Sequence, residues 1–160
     1  MRRFLKIKQG RPTTREVLIE FVGALFGMGL LVWMSQLTAV PLLWAPLGGT
    51  MVLVFGAHAS PFSQPMNVLG GHLLSATLAV VAFAFLPHNT ITLIFVVAAT
   101  IAAMRLARLT HPPAGANAIV IYLAQASWFV VMPALAFGIG IILALGFFVH
   151  KFSKTAYPAH

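Results

Sequence analysis

Cysteine is absent from the 160 residues, acids number only two, and charged side chains make up 8% of the chain. Without cysteine there are no disulfides and no thiolate metal sites, and the redox compartment leaves no trace. Soluble domains carry about 25% charged residues. So low a charged fraction, with 60% hydrophobic residues and a mean hydropathy of +0.96, excludes an ordinary soluble domain and indicates an integral membrane protein. The two acids, Glu16 and Glu20, stand against ten basic residues, which gives a net charge of +8. The basic residues fall into three groups: residues 2–15, Arg105 with Arg108, and Lys151 with Lys154. A nucleic-acid surface is one reading of them. The favoured one is the Lys and Arg excess of cytoplasmic loops, which makes the lipid bilayer the expected partner and nucleic acid not one. The basic start and the apolar run after it imitate a signal peptide. That run, residues 17–33, exceeds the usual roughly 7–15 residue core and no clear small-residue cleavage site follows, so it reads as an uncleaved first span.

Six apolar segments are present. A bilayer core of about 30 Å takes about 20 helical residues to cross, and four segments reach or approach that length: residues 17–34, 66–86, 90–106 and 128–149. Two are shorter and open on proline, "PLLWAPLGGTMVLVFGA" (41–57) and "PPAGANAIVIYLAQ" (112–125). "APLGGTMVLV" and "HPPAGANAIV" align with proline second, a small residue fourth, glycine fifth and aliphatic residues at the end. The order long, short, long occurs twice. The expected fold is therefore an all-α membrane protein of about six transmembrane segments in two inverted three-helix repeats, two of the segments short and starting at Pro/Gly breaks. A basic cytoplasmic segment (1–16) precedes a single transmembrane domain (17–152), and a short tail (153–160) follows. Six crossings from a cytoplasmic N-terminus put all ten basic residues inside, whereas one re-entrant short segment would move Lys151 and Lys154 outside. Gly23 with Gly27, and Ala136, Gly140 and Ala144, would allow close helix approach or are simply small residues of membrane helices.

Unsatisfied backbone groups cost several kcal/mol in lipid, so non-helical backbone at membrane depth survives only inside protein or beside water. Helix breaks therefore mark cavities. Pro46 and Pro112-Pro113 suit a first helical turn. Gly48-Gly49 and Gly115 leave nearby amides uncovered by side chains, and a helix start attracts small anions. Polar residues cluster around these starts: Thr50, Gln64, Asn67, His72, Ser75, His111 and Asn117. Ser and Thr also bond back to their own helices, and "SPFSQPMN" (60–67) also reads as a solvated turn. Asn117 and His72 lie within apolar helices, where polar groups usually face a bundle interior or pathway. For His111, loop orientation and helix capping compete with ligand contact.

"THPPAGANA" (110–118), "APLGGTMVLVF" (45–55) and "SPFSQPMNVLGGHLLSA" (60–76) together resemble the HPP family of integral membrane proteins, whose His-Pro-Pro stands here at His111, Pro112 and Pro113. The resemblance covers roughly residues 20–152. It implies a bacterial or chloroplast membrane protein and, from the plant members, nitrite transport. The family's usual description has fewer than six helices. Some bacterial members carry appended CBS domains, and nucleotide regulation of that kind is not expected from this chain. Nitrite, a small monovalent hydrogen-bond acceptor, suits two opposed helix starts with neutral polar side chains.

The expected function is thus a channel or transporter for a small inorganic anion, nitrite first. The substrate-binding candidates are Gly48, Gly49, Thr50, Gln64, Asn67, His72, His111, Pro112, Pro113, Gly115 and Asn117. Arg105 and Arg108 form an electrostatic mouth or serve as topology anchors. A membrane enzyme is not expected: the carboxylates lie near the membrane entrance, and no two of the six histidines stand four apart as in metalloproteases. No cofactor is expected, although His72 and His111 leave a His-ligated metalloprotein as one alternative and an anion sensor or scaffold as another. The expected location is the bacterial inner membrane with both termini cytoplasmic, and a homo-oligomer is compatible with it. Proton coupling, with Glu20, His72 or His111 as carrier, is left open.

Overall fold

The structure, a computed structural model, describes residues 10–38 and 44–159. The basic residues before Gly10, Pro41 and His160 lie outside the described residues. The described chain forms six α-helices and one short 3₁₀ turn, with no strand among the described residues. The helices are α1 (Thr14–Thr38), α2 (Trp44–Gly56), α3 (Pro65–Phe85), α4 (Thr90–Leu106), α5 (Pro112–Ala124) and α6 (Trp128–Ser153), and the turn is Pro61–Ser63. Three of them, α1, α3 and α6, are long and apolar enough to cross a membrane.

Local chemistry sets the helix ends. Thr13 and Glu16 form a reciprocal cap at α1: Glu16 N donates to Thr13 Oγ1 at 3.2 Å and Thr13 N to Glu16 Oε2 at 2.7 Å. This cap starts α1 at Thr14, three residues before the apolar run. Asn89 caps α4 by accepting from Thr92 N, and α3 and α5 open on proline. After α4 and α5 the chain reverses through Schellman hydrogen bonds. Leu109 N donates to Met104 O and Ala126 N to Ile121 O, with Arg108 and Gln125 in the left-handed region. Lys154 closes α6 in the same conformation.

The outer surface is apolar, unlike that of a soluble protein, and the core is apolar with polar side chains set into it. Phe85, Leu106 and Phe129 are more than 80% exposed, while Thr50, Ser75, Thr100, His72, His111 and Asn117 are fully buried. Large apolar side chains on the outside suit a hydrocarbon solvent, and between the helices small and polar residues stand among Ile121, Leu135 and Ile142. The interior of α3 is accordingly lined by alanine, with Ala76, Ala79 and Ala82 buried.

Glycines set the closest approaches. Gly23 and Gly27 of α1 face Val149 and Leu145 of α6, so that face is used within the chain. On α6 the close approach falls on Gly138, against Leu47 and Leu31, and on Gly146, against Val54. Ala136, Gly140 and Ala144, the expected packing positions, are exposed, and a Cβ on Gly140 would meet nothing within 4 Å. Buried residues 131, 135, 138, 139, 142, 146 and 149 define the inward stripe, and the expected trio lies on another side of the helix.

These contacts orient the helices. The sequence of approaches along α6 runs backward along α1 and forward along α2, so α1 is antiparallel to α6 and α2 parallel to it. Arg15 donates to Phe152 O, Tyr157 to Ser63 O, and Asn67 to Thr110 O. The start of α1, the end of α6 and the loops before α3 and α5 therefore share one end of the molecule. At the other end Tyr122 Oη donates to Pro87 O. Helix neighbours come in matching sets: α1 packs on α2 and α6, α4 on α5 and α3, α2 on α6 as α3 does on α5, and α2–α5 and α3–α6 cross between the halves.

Candidate functional site

The starts of α2 and α5 meet in the interior. A Cβ on Gly49 would lie 3.3 Å from Pro113, and Thr50, one residue on, carries the only hydroxyl of α2. Thr50 Oγ1 lies 2.8 Å from Nε2 of His72 on α3, 3.0 Å from Nε2 of His111 at the start of α5, and 3.0 Å from Pro46 O. The two imidazole centroids stand 4.9 Å apart. Beyond them, Asn117 Nδ2 lies 2.6 Å from His72 Nδ1, and Phe62 O lies 2.7 Å from His111 Nδ1. Ser75 anchors the neighbouring turn by donating to Ala114 O at 2.5 Å.

Backbone design holds this cluster. Gly71 lets α3 run against the loop into α5: a Cβ there would lie 2.7 Å from His111 Cβ and 2.9 Å from Leu109 O. Gly70 faces Leu109 in the same way. Asn67 ties down this loop through Arg108 O at 3.3 Å and Thr110 O at 3.1 Å. The tautomers follow from the partners. A carbonyl faces His111 Nδ1, so that nitrogen carries hydrogen and Nε2 accepts. With the carboxamide assigned as Nδ2 toward His72, Nδ1 of His72 accepts and its Nε2 donates to Thr50. Asn117 Oδ1 is then left fully buried without a hydrogen-bond partner.

Of the residues expected to bind substrate, Thr50, His72, His111 and Asn117 come together, with Gly49 and Pro113 packed beside them. Gly48 faces Met28 instead. Gln64 is engaged elsewhere: its Nε2 donates to His58 O and Ser60 O, and its Oε1 accepts from Ala159 N. Asn67 serves the loop, and Gly115 borders open space. The first turn of α5 has few free amides, because Pro112 and Pro113 have none and Ala114 N donates to His111 O at 2.9 Å. Arg105 and Arg108 are exposed, at the end that also carries Arg15, Lys151 and Lys154. "SPFSQPMN" is no mere solvated turn, since Ser63 and Gln64 are buried, with Ser63 Oγ within reach of Ala57 O, His58 O and Ser60 O. The Phe62 carbonyl was not legible in sequence, because any residue type supplies one.

A second polar cluster lies at the basic end. His150 Nε2 is 2.7 Å from Val54 O and its Nδ1 2.8 Å from Thr155 Oγ1, while its ring lies against those of His58 and Tyr157. It joins the end of α6 to a terminal carbonyl of α2. Among the described residues no group of three or more His, Cys, Asp or Glu is placed to hold a metal ion.

Compared with known proteins, residues 9–158 match the HPP transmembrane region. The chain belongs to the HPP family. Among the relatives of this HPP protein is a transmembrane protein of Dictyostelium discoideum, 32% identical over 116 residues, which are 67% of this chain and 37% of that one. Another Dictyostelium discoideum transmembrane protein is 29% identical over 154 residues, 89% of this chain and 53% of that one. The chain thus spans about half the length of these curated relatives, or less. No solved structure matches. Family and helices together make the chain an integral membrane protein.

Proposed function

We propose that this HPP protein transports a small monovalent anion, nitrite first, past Thr50, His72, His111 and Asn117. The observation carrying this reading is the complete burial of those four polar side chains among apolar helices, at the meeting of two short helix starts. Polar groups so placed are costly in a membrane and are retained where a solute must pass. The starts of α2 and α5 contribute partial positive charge without a fixed cation. With the α5 amides mostly absent or used, the donors for an anion are the second N–H of the Asn117 carboxamide and the imidazole N–H groups once they turn from their present partners. Weak neutral donors suit permeation, which requires release as well as binding.

The matching sets of helix neighbours support two inverted halves, α1–α3 and α4–α6, with six crossings and the site between them. Arg15, Arg105, Arg108, Lys151 and Lys154 belong to elements that share one end, which favours that end, and both termini, as cytoplasmic. A bacterial inner membrane is the location this reading takes. Arg105 and Arg108 would concentrate anions at the mouth.

The test is nitrite uptake by proteoliposomes containing the purified chain, against nitrate and chloride. Saturable uptake above empty liposomes is the expected result. No uptake by folded, inserted protein would overturn transport, and nitrite binding without uptake would make the chain a sensor.

A further inference from the structure

Thr50 stands between two imidazoles that otherwise do not bond to each other. Its hydroxyl has one hydrogen and three neighbours: Pro46 O, His72 Nε2 and His111 Nε2. The bond to Pro46 O is the usual way a helical threonine satisfies itself. If the hydrogen went there, His111 Nε2, deep in apolar surroundings, would have no donor. The assignment that satisfies all four ring nitrogens is continuous. Asn117 Nδ2–H donates to His72 Nδ1, His72 Nε2–H to Thr50 Oγ1, Thr50 Oγ1–H to His111 Nε2, and His111 Nδ1–H to Phe62 O. Every link is between 2.6 and 3.0 Å.

We propose that His72, Thr50 and His111 form a proton relay, so that the anion crosses together with a proton. The inference rests on the transport reading above and names its co-substrate. A proton arriving at His72 Nδ1 forms an N–H bond there. The Nε2–H hydrogen passes to Thr50 Oγ1, the Thr50 hydrogen passes to His111 Nε2, and the Nδ1–H proton of His111 leaves beside Phe62. Three bonds to hydrogen form, three break, and no charge remains in the cluster. While either ring is protonated it supplies the positive charge that an anion in this neutral site lacks.

Asn117 bears on the same assignment. Its buried Oδ1 lacks a donor, so what is missing beside it is an N–H or O–H group, which a bare anion would not provide. Rotating the carboxamide by half a turn places Oδ1 at His72 Nδ1, where it accepts the hydrogen that protonation adds. The amide thus serves the ring before and after the proton arrives. After one passage a His111 Nδ1 without hydrogen faces the lone pairs of Phe62 O, an unfavourable contact that opposes a second passage until the tautomers are restored. The groups facing the pair are Thr50 from α2, Asn117 from α5 and Phe62 O from the 3₁₀ turn. The two imidazoles also face each other, with centroids 4.9 Å apart. The relay ends toward the loop 57–64, at the basic end of the molecule, which gives it an exit.

The test uses proteoliposomes with an entrapped pH dye and the membrane potential clamped by potassium and valinomycin, for wild type, Thr50→Val and Thr50→Ser. An inward nitrite gradient should acidify wild-type vesicles beyond empty ones, and an inward proton gradient should raise nitrite uptake several-fold. Thr50→Val keeps the shape without the hydroxyl and should lose both effects at least ten-fold, while Thr50→Ser should restore them. Proton movement retained in Thr50→Val overturns the relay. So does nitrite uptake that carries net charge and no proton in wild type, which leaves transport standing. Potential-driven proton movement lost in Thr50→Val, with no nitrite uptake in wild type, supports the relay and overturns the transport reading. Movement of neither overturns both.

Discussion

Gly71 and His111 are packed backbone to side chain: a Cβ on Gly71 would sit 2.7 Å from the Cβ of His111 and 2.9 Å from Leu109 O. Neither neighbour is the end of a flexible side chain, so the loop into α5 would have to move. Gly71→Ala is therefore expected to destabilise by about 1–3 kcal/mol and to pull His111 from Thr50, with loss of nitrite uptake. Gly115, in the motif that carries His111, borders open space, and Gly115→Ala should be neutral or stabilising by up to about 1 kcal/mol with uptake retained. Thermal unfolding in detergent and uptake, measured on both variants, check the contrast. Equal behaviour would remove the special role of Gly71.

Asn117 tests the site directly. Asn117→Leu replaces a buried carboxamide by an apolar group of similar size and leaves His72 Nδ1 without its partner. The variant should purify and elute like wild type, because the carboxamide already has one unsatisfied atom, yet show at least ten-fold lower nitrite uptake. Wild-type uptake would place the pathway elsewhere.

Arg105 and Arg108 separate steering from anchoring. If they gather anions, Arg105→Gln with Arg108→Asn should raise the nitrite concentration for half-maximal uptake a few-fold at about 10 mM salt. The difference should fade near 1 M, where the screening length shrinks to about 3 Å. Asparagine is chosen at 108 because the backbone there is left-handed, with φ of 58°. Unchanged uptake at both salt levels would leave the pair as topology anchors.

Tyr157 gives a pH dependence outside the spans. Burial pushes its phenol up to about 12, and its hydroxyl donates to Ser63 O at 2.9 Å. The folded pKa is above the ordinary value of about 10, so this contribution is fully present below pH 10 and is lost as pH rises toward 12. Tyr157→Phe should lower stability by about 1 kcal/mol at pH 8. The gap between variant and wild type should close between pH 10 and 12 in thermal unfolding. A constant gap over that range would show that the tail does not hold the phenol.

Lys154 closes α6 with φ of 58°, a conformation that costs a residue with a Cβ about 1–2 kcal/mol. Lys154→Gly should raise stability by about 1 kcal/mol in the same unfolding measurement. A loss would mean that the lysine side chain itself holds the helix end.

Composition and run length determined the solvent and the elements. Six apolar segments reappear as six helices, and α4 keeps its expected bounds, because hydrocarbon forces each segment to satisfy its own backbone. Proline and glycine marked where α2 and α5 differ from the rest. A local pattern could also nominate Thr50, His72, His111 and Asn117, since polar groups amid apolar helices are conspicuous. It could not separate them from Gln64 and Asn67, which have the same chemistry but are spent on loop carbonyls. Nor could it choose between the two small-residue stripes of α6, which depends on how the helix is rotated against α1 and α2. That Thr50 bridges two histidines from helices 22 and 61 residues away, and that a carbonyl fixes the tautomer of one of them, was decided by packing alone. Hydrogen bonds across a bundle depend on distances that no sequence spacing contains.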